Sequence, residues 1–261
     1  MALRQFDGRP FASRIGQRHV LNGASTLINV HQTRFLTSFY MEHLPKLQTI
    51  ILMLGPPDFE NCTTPANLFD PEDASGYAFK QDIAAPLYLR YFAPVLYMRR
   101  ARNFQERRVP LKGDFWMDEY GSSPLQWTPE MMRGLRYEAL KFDRSCVDGL
   151  LQTLTDIKAK GIRPVVVLSP VHPEYRQKYP EAIQRLKEVG GKVGAELREG
   201  VDFFDMSESD FEAADFFDAV HLQWTAVQRF SDKLADLVLP SKAAASASPN
   251  IRHPTNQIAH P

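Results

Sequence analysis

The chain has 261 residues, 44% of them hydrophobic, and its 31 Lys+Arg are balanced by 31 Asp+Glu. That length holds one large α/β domain or two small ones, and a zero formal net charge gives no general attraction to nucleic acid or to an anionic membrane. Cys62 and Cys146 are too few for a disulfide framework and lack metal-ligand spacing, so a single disulfide between them stays open.

The opening residues, MALRQFDGRPFASRIG, contain no apolar run of signal-peptide length. No stretch elsewhere approaches the ~18 apolar residues of a membrane span. Residues 20–21 read as a short apolar strand running into "NGAST". A helix is predicted over residues 27–44, because Ile28, Phe35 and Phe39, and Leu36, Tyr40 and Leu44, recur at helical spacing before Pro45. "TIILMLG" (49–55) reads as a buried strand ending at Gly-Pro-Pro.

Residues 62–140 carry many Pro and aromatic residues and read as an irregular insertion. A helix is predicted from Asp143, which caps it, with Cys146, Leu150, Leu154 and Ile157 on one face and Gly161 as its end. "RPVVVLSP" (163–170) is a second buried strand. A helix over 180–189 is expected to stop at Gly190-Gly191, and "VDFFDMS" is a third strand. In the last helix Thr225 and Gln228 read as a T-x-x-Q capping box, with Val227, Phe230, Leu234 and Leu237 as the apolar face. Residues 240–261 lack periodicity and are expected to be disordered.

Strand–helix alternation with apolar strands implies an α/β fold: a mainly parallel sheet covered by helices on both faces. Ligands of such folds sit beyond the carboxyl ends of the strands, which directs attention to "NGAS", "GPPDFEN", "SPVHPEY", "DMSESD" and "DAVHLQ". The last of these places Asp218 three residues before His221. A base near neutral pH and a carboxylate that fixes its tautomer are two members of a catalytic triad; the bland alternative is that Asp218 bonds local amides. Ser25 precedes a predicted helix, where it reads either as an N-cap or as a nucleophile.

The order of these motifs resembles the SGNH (GDSL-like) hydrolases, and more narrowly the SGNH-like proteins of bacterial cell-surface polysaccharide loci. "DAVH" matches the final D-x-x-H block, "LNGAST" the Gly block and "LGPPDFEN" the G-x-N-D block, so the resemblance covers residues 19–239. It implies a flavodoxin-like three-layer α/β/α domain and ester chemistry on a carbohydrate or lipid: His221 as base, Asp218 as its orienter, and Gly23 N–H in the oxyanion hole. Two departures stand out. Pro57 occupies the place of the oxyanion Asn, so Asn22 or Asn61 would have to substitute. The block carrying the nucleophilic serine has no counterpart: Ser13 lies in "FASRIG", without an apolar strand before it. The expectation is therefore an N-terminus (1–18) truncated after that block, which would also have removed any anchor; localisation is then cell envelope, and otherwise cytoplasmic by default.

Asp58 and His172 are candidate substrate-binding residues. Together with Asp218 and His221 they also define an alternative, a metal-dependent hydrolase, although no H-x-H or H-x-x-x-H spacing supports one. No cofactor or metal is expected. A third reading is a non-catalytic glycan-binding or scaffold protein, favoured by Pro57 and the absent serine. The basic segment 99–112 reads as a solvated helix face, with anionic glycan or membrane contact as its second reading. Phe115, Trp116, Tyr120 and Trp127 read as core, or as a sugar-stacking cluster.

Overall fold

The computed structural model describes residues 2–16, 19–25, 27–63, 66–80, 94–95, 98–99, 102, 118–123, 138–197 and 199–239. Most of the insertion, most of the basic segment, Phe115, Trp116, Trp127 and the 240–261 tail lie outside them. Among the described residues the named α-helices are α1 (Ala2–Gln5), α2 (Gly8–Ile15), α3 (Val30–His43), α4 (Pro71–Phe79), α5 (Arg144–Ala159), α6 (Pro173–Lys178), α7 (Pro180–Leu197) and α8 (Trp224–Val238). Among the described residues three strands, β1 (Thr49–Leu54), β2 (Arg163–Leu168) and β3 (Asp202–Asp205), form a parallel sheet in the order β1-β2-β3. The protein is thus α/β.

Side-chain alternation along the strands divides the core. Leu52, Leu54, Val166 and Leu168 face one way, against Leu150, Leu154 and Ile157 of α5 and Leu186 and Val189 of α7. Met53, Val165 and Val167 face the other way, against Phe11 of α2 and Phe230 and Leu234 of α8. Val165, Val166 and Val167 are fully buried, which is why β2 is apolar from Pro164 onward. Each such side chain contributes roughly 1.5–3 kcal/mol. The amino-terminal residues join the second layer. Asp7 caps α2 by accepting from Arg9 N, the Asp7 N–H donates to Ser231 Oγ (2.9 Å), and Phe6 and Phe11 are buried.

Helix α5 forms as its sequence reads. Asp143 accepts from Ser145 N, the expected face is buried, and Gly161 adopts φ +71° just beyond the end. Elsewhere the boundaries move. Residues 20–21 form no strand. Helix α3 starts at Val30 rather than residue 27, because Asn29 forms a reciprocal capping box with Gln32. Leu27 lies outside it at φ +57°. Helix α7 continues through Gly190 and Gly191 to Leu197. Val193 extends the buried face, and Gly190 lies against the Phe203 ring, where a Cβ would come within 2.7 Å. Helix α8 begins after Gln223, so Thr225 is inside it and the T-x-x-Q box does not form. Leu237 is partly exposed at 36%, while Ala226, Ser231, Ala235 and Val238 complete the buried face.

Cys62 and Cys146 are joined in a disulfide, 84 residues apart in sequence. It ties the loop after β1 to the first turn of α5. Asp143 reinforces the tie: its Oδ2 accepts from Cys62 N (2.9 Å) and its N–H donates to Phe59 O (2.9 Å).

Candidate functional site

The carboxyl ends of the three strands are laced together. Ser169 N donates to Leu54 O (2.7 Å), Met206 N to Leu168 O (3.0 Å) and Val171 N to Ser207 O (3.2 Å). Over them hangs the loop 216–222, closed by a bridge between Phe216 and Leu222 and by Phe217 N donating to His221 O (2.7 Å). His172 N donates to Ala219 O (3.0 Å), fastening the loop after β2 to it.

Inside this loop Asp218 performs two tasks. Its Oδ1 accepts from Val220 N (2.9 Å) and His221 N (2.8 Å), which makes the turn. Both carboxylate oxygens also contact His221 Nδ1, at 3.0 and 2.9 Å. A carboxylate only accepts, so Nδ1 carries the proton and Nε2 is the basic nitrogen. The Asp218 side chain is 9% exposed and that of His221 19%. The pair is held rigidly yet remains reachable. The two readings of D-x-x-H are therefore not alternatives: the local amides and the imidazole share one carboxylate. Helix capping is a third task that Asp218 does not have, since α8 begins six residues later, at Trp224.

Asp58 lies in the 3-10 turn Pro56–Phe59 at the end of β1, buried, with Oδ2 accepting from Gly55 N at 2.6 Å. Burial pushes its carboxyl up; the Gly55 N–H and the charge of His221 oppose that shift, so Asp58 and His221 sense each other. His172 is also close: burial pushes its imidazole down, while Glu174 and, more weakly, Asp218 push it up. Its Nδ1 accepts from Glu174 N (3.1 Å), capping α6, and its ring meets Phe216 edge-on. Among the described residues no three His, Cys, Asp or Glu side chains are arranged to hold a metal. Asp58, His172, Asp218 and His221 thus do not form the metal-ligand set considered above, because each is committed to a turn, a cap or its neighbour.

A cavity of about 230 Å³ adjoins the loop, lined by Pro56, Pro57, Tyr175 and Val220 with Glu60 and Lys141. Tyr175 is buried and donates to Glu138 O (3.2 Å); burial pushes its phenol up to about 12. Sequence reading overlooked Tyr175, although its place in "VHPEY" on a strand-end loop was the available signal.

The other candidates have structural tasks. Asn22 is held by the 118–123 strip: its N–H donates to Tyr120 O (2.7 Å), its Nδ2 to Ser122 Oγ (3.3 Å), and its Oδ1 accepts from Ala24 N (3.2 Å). Gly23 O accepts from Tyr40 Oη (3.1 Å), and a Cβ at Gly23 would come within 2.5 Å of that ring. Asn61 adopts φ +56°, and its carbonyl accepts from Asn29 Nδ2 (2.9 Å), anchoring the start of α3. Ser25 follows no strand and stands four residues ahead of the true cap, Asn29. Ser169, which sequence reading did not single out, directly follows β2 and is fully buried, and among the described residues its hydroxyl has no hydrogen-bond partner. Tyr120 is half-buried beside Gly8. Comparison of the chain with protein-family models, curated proteins and solved structures gave no match.

Proposed function

We propose that this protein is an SGNH-like ester hydrolase or O-acyltransferase whose general base is His221, acting on a carbohydrate or lipid ester. The observation that carries the reading is the paired contact of Asp218 with His221 Nδ1 at the carboxyl ends of the strands. His221 Nε2 takes the proton of the attacking hydroxyl and returns it to the departing alkoxide. Asp218 holds the tautomer and stabilises the imidazolium formed between those steps. The non-reacting part of the substrate lies in the cavity beside Val220. Ser25 is the candidate nucleophile within this chain. The Cys62–Cys146 bond supports placing this chemistry in an oxidising compartment, where disulfides persist.

The test is cleavage of p-nitrophenyl acetate by the wild type and by His221→Ala. A loss of ~10²- to 10⁴-fold is expected, and equal rates would remove His221 from the mechanism. Pro57 at the oxyanion position and the commitment of Asn22 to Ser122 favour a second reading, a non-catalytic glycan-binding protein. Saturable glycan binding that is unchanged in His221→Ala, with no ester turnover in the wild type, would select it.

A further inference from the structure

A serine–histidine pair lies at the opposite end of the sheet from the Asp218–His221 pair. His43 ends α3 and Ser75 sits within α4. The start of α3 is tied to the strand-end loop through Asn29 and Asn61. The helix then runs 14 residues, about 21 Å at 1.5 Å per residue, to the side from which β1 begins.

His43 Nδ1 is 2.8 Å from Phe39 O and Nε2 is 2.8 Å from Ser75 Oγ. A carbonyl only accepts, so Nδ1 carries the proton and Nε2 presents its lone pair to the Ser75 hydroxyl. Within a helix, serine usually donates to the carbonyl four residues back; Ser75 reaches across to another helix instead. Aromatic rings shield the imidazole. Phe79 stacks on it with centroids 4.7 Å apart and Phe39 lies 4.5 Å away. Helix α4 is itself fixed by Asp70, whose Oδ1 accepts from Glu72 N and Asp73 N. The base thus stands within hydrogen-bond reach of both the nucleophile and the orienter, the arrangement that activates a serine.

We propose that Ser75 is an acyl-accepting serine activated by His43, taking a small acyl group from an activated ester. The Ser75 Oγ–C bond forms as the ester C–O bond breaks. The hydroxyl proton passes to His43 Nε2 and then to the departing alkoxide. Ser75 is only 9% exposed, which restricts the donor to acetyl-sized groups. The orienter is a neutral carbonyl, which stabilises an imidazolium less than a carboxylate does, so the centre takes one acyl group rather than turning over. This chemistry is independent of Asp218 and His221.

The experiment is incubation of the full chain with p-nitrophenyl acetate, with the acetylated serine located by peptide mass spectrometry. Acetylation at Ser75 is expected, absent in Ser75→Ala and at least ~100-fold slower in His43→Gln. No adduct at Ser75, or the same rate in His43→Gln, overturns the proposal and leaves the pair a strut between α3 and α4. Ser75→Cys provides a check that does not disturb His43. Its alkylation by iodoacetamide is expected to remain fast well below the ordinary thiol pKa of ~8.5, and a profile titrating at ~8.5 would also overturn the assignment.

Discussion

The loops 216–222 and 22–25 were both marked by the sequence, yet they are built in opposite ways. In the first, one carboxylate bonds the amides two and three residues on and the ring three residues on. The bonds that shape the turn and orient the ring lie within four positions. In the second, Asn22 is held by Tyr120 and Ser122, about a hundred residues away, and Gly23 by Tyr40. A motif that closes on itself keeps its geometry wherever the chain places it. A motif that depends on distant partners has a shape only after they arrive.

Asp218→Asn tests the local loop most sharply and carries the largest expected effect. Its oxygen would still accept from Val220 N and His221 N, but its amide would face the Nδ1–H and force the wrong tautomer. Ester cleavage should fall ~10²- to 10⁴-fold with little change in melting temperature; equal losses of fold and activity would contradict a purely local turn. Replacing both Cys62 and Cys146 by Ser tests the long-range side. Removing a native disulfide typically costs about 2–5 kcal/mol, read as a lower denaturant midpoint, and the turn carrying Asp58 should loosen in hydrogen exchange while Asp218–Leu222 stays protected. Loss of protection in both regions together would erase the contrast.

Gly23→Ala should cost about 1–3 kcal/mol by overpacking against the Tyr40 ring. The cost should largely vanish in a Tyr40→Ala background; simple additivity of the two changes would show that the ring is not the obstacle. The smallest effect is a pH dependence. Burial raises the Asp58 carboxyl, so the stability it lends is fully present below the unfolded value of ~3.9 and declines as pH rises through the higher folded value. Asp58→Asn should therefore gain on the wild type as pH rises from acid to neutral in thermal melts, and a pH-independent difference would refute the shift.

How much could be read in advance follows the same division. Strands β1, β2 and β3 were legible because each is a short β-branched or aromatic run paired in a parallel sheet. Helix α5 was legible to its ends, since Asp143 and Gly161 act on their own neighbours. The start of α3 was misplaced because Leu27 and Ile28 continue its apolar spacing, while the deciding bond is Asn29 with Gln32. Helix α7 was cut short at Gly190-Gly191; the Phe203 ring of β3 occupies the space a side chain at Gly190 would need, so Gly190 serves packing rather than termination, while no atom crowds Gly191 and the helix runs on through it.

Residue order alone therefore settled the α/β class, strands β1 to β3 (but not residues 20–21, which form none) and the short-range bonding of Asp218, all of which rest on periodicity or on hydrogen bonds spanning a few residues. Tertiary structure decided the Cys62–Cys146 bond, the tasks of Asn22, Gly23 and Asn61, and the meeting of His43 with Ser75. Those contacts join positions about 17 to 100 residues apart, and no local pattern encodes them, because each partner is chosen by how whole helices and strands pack.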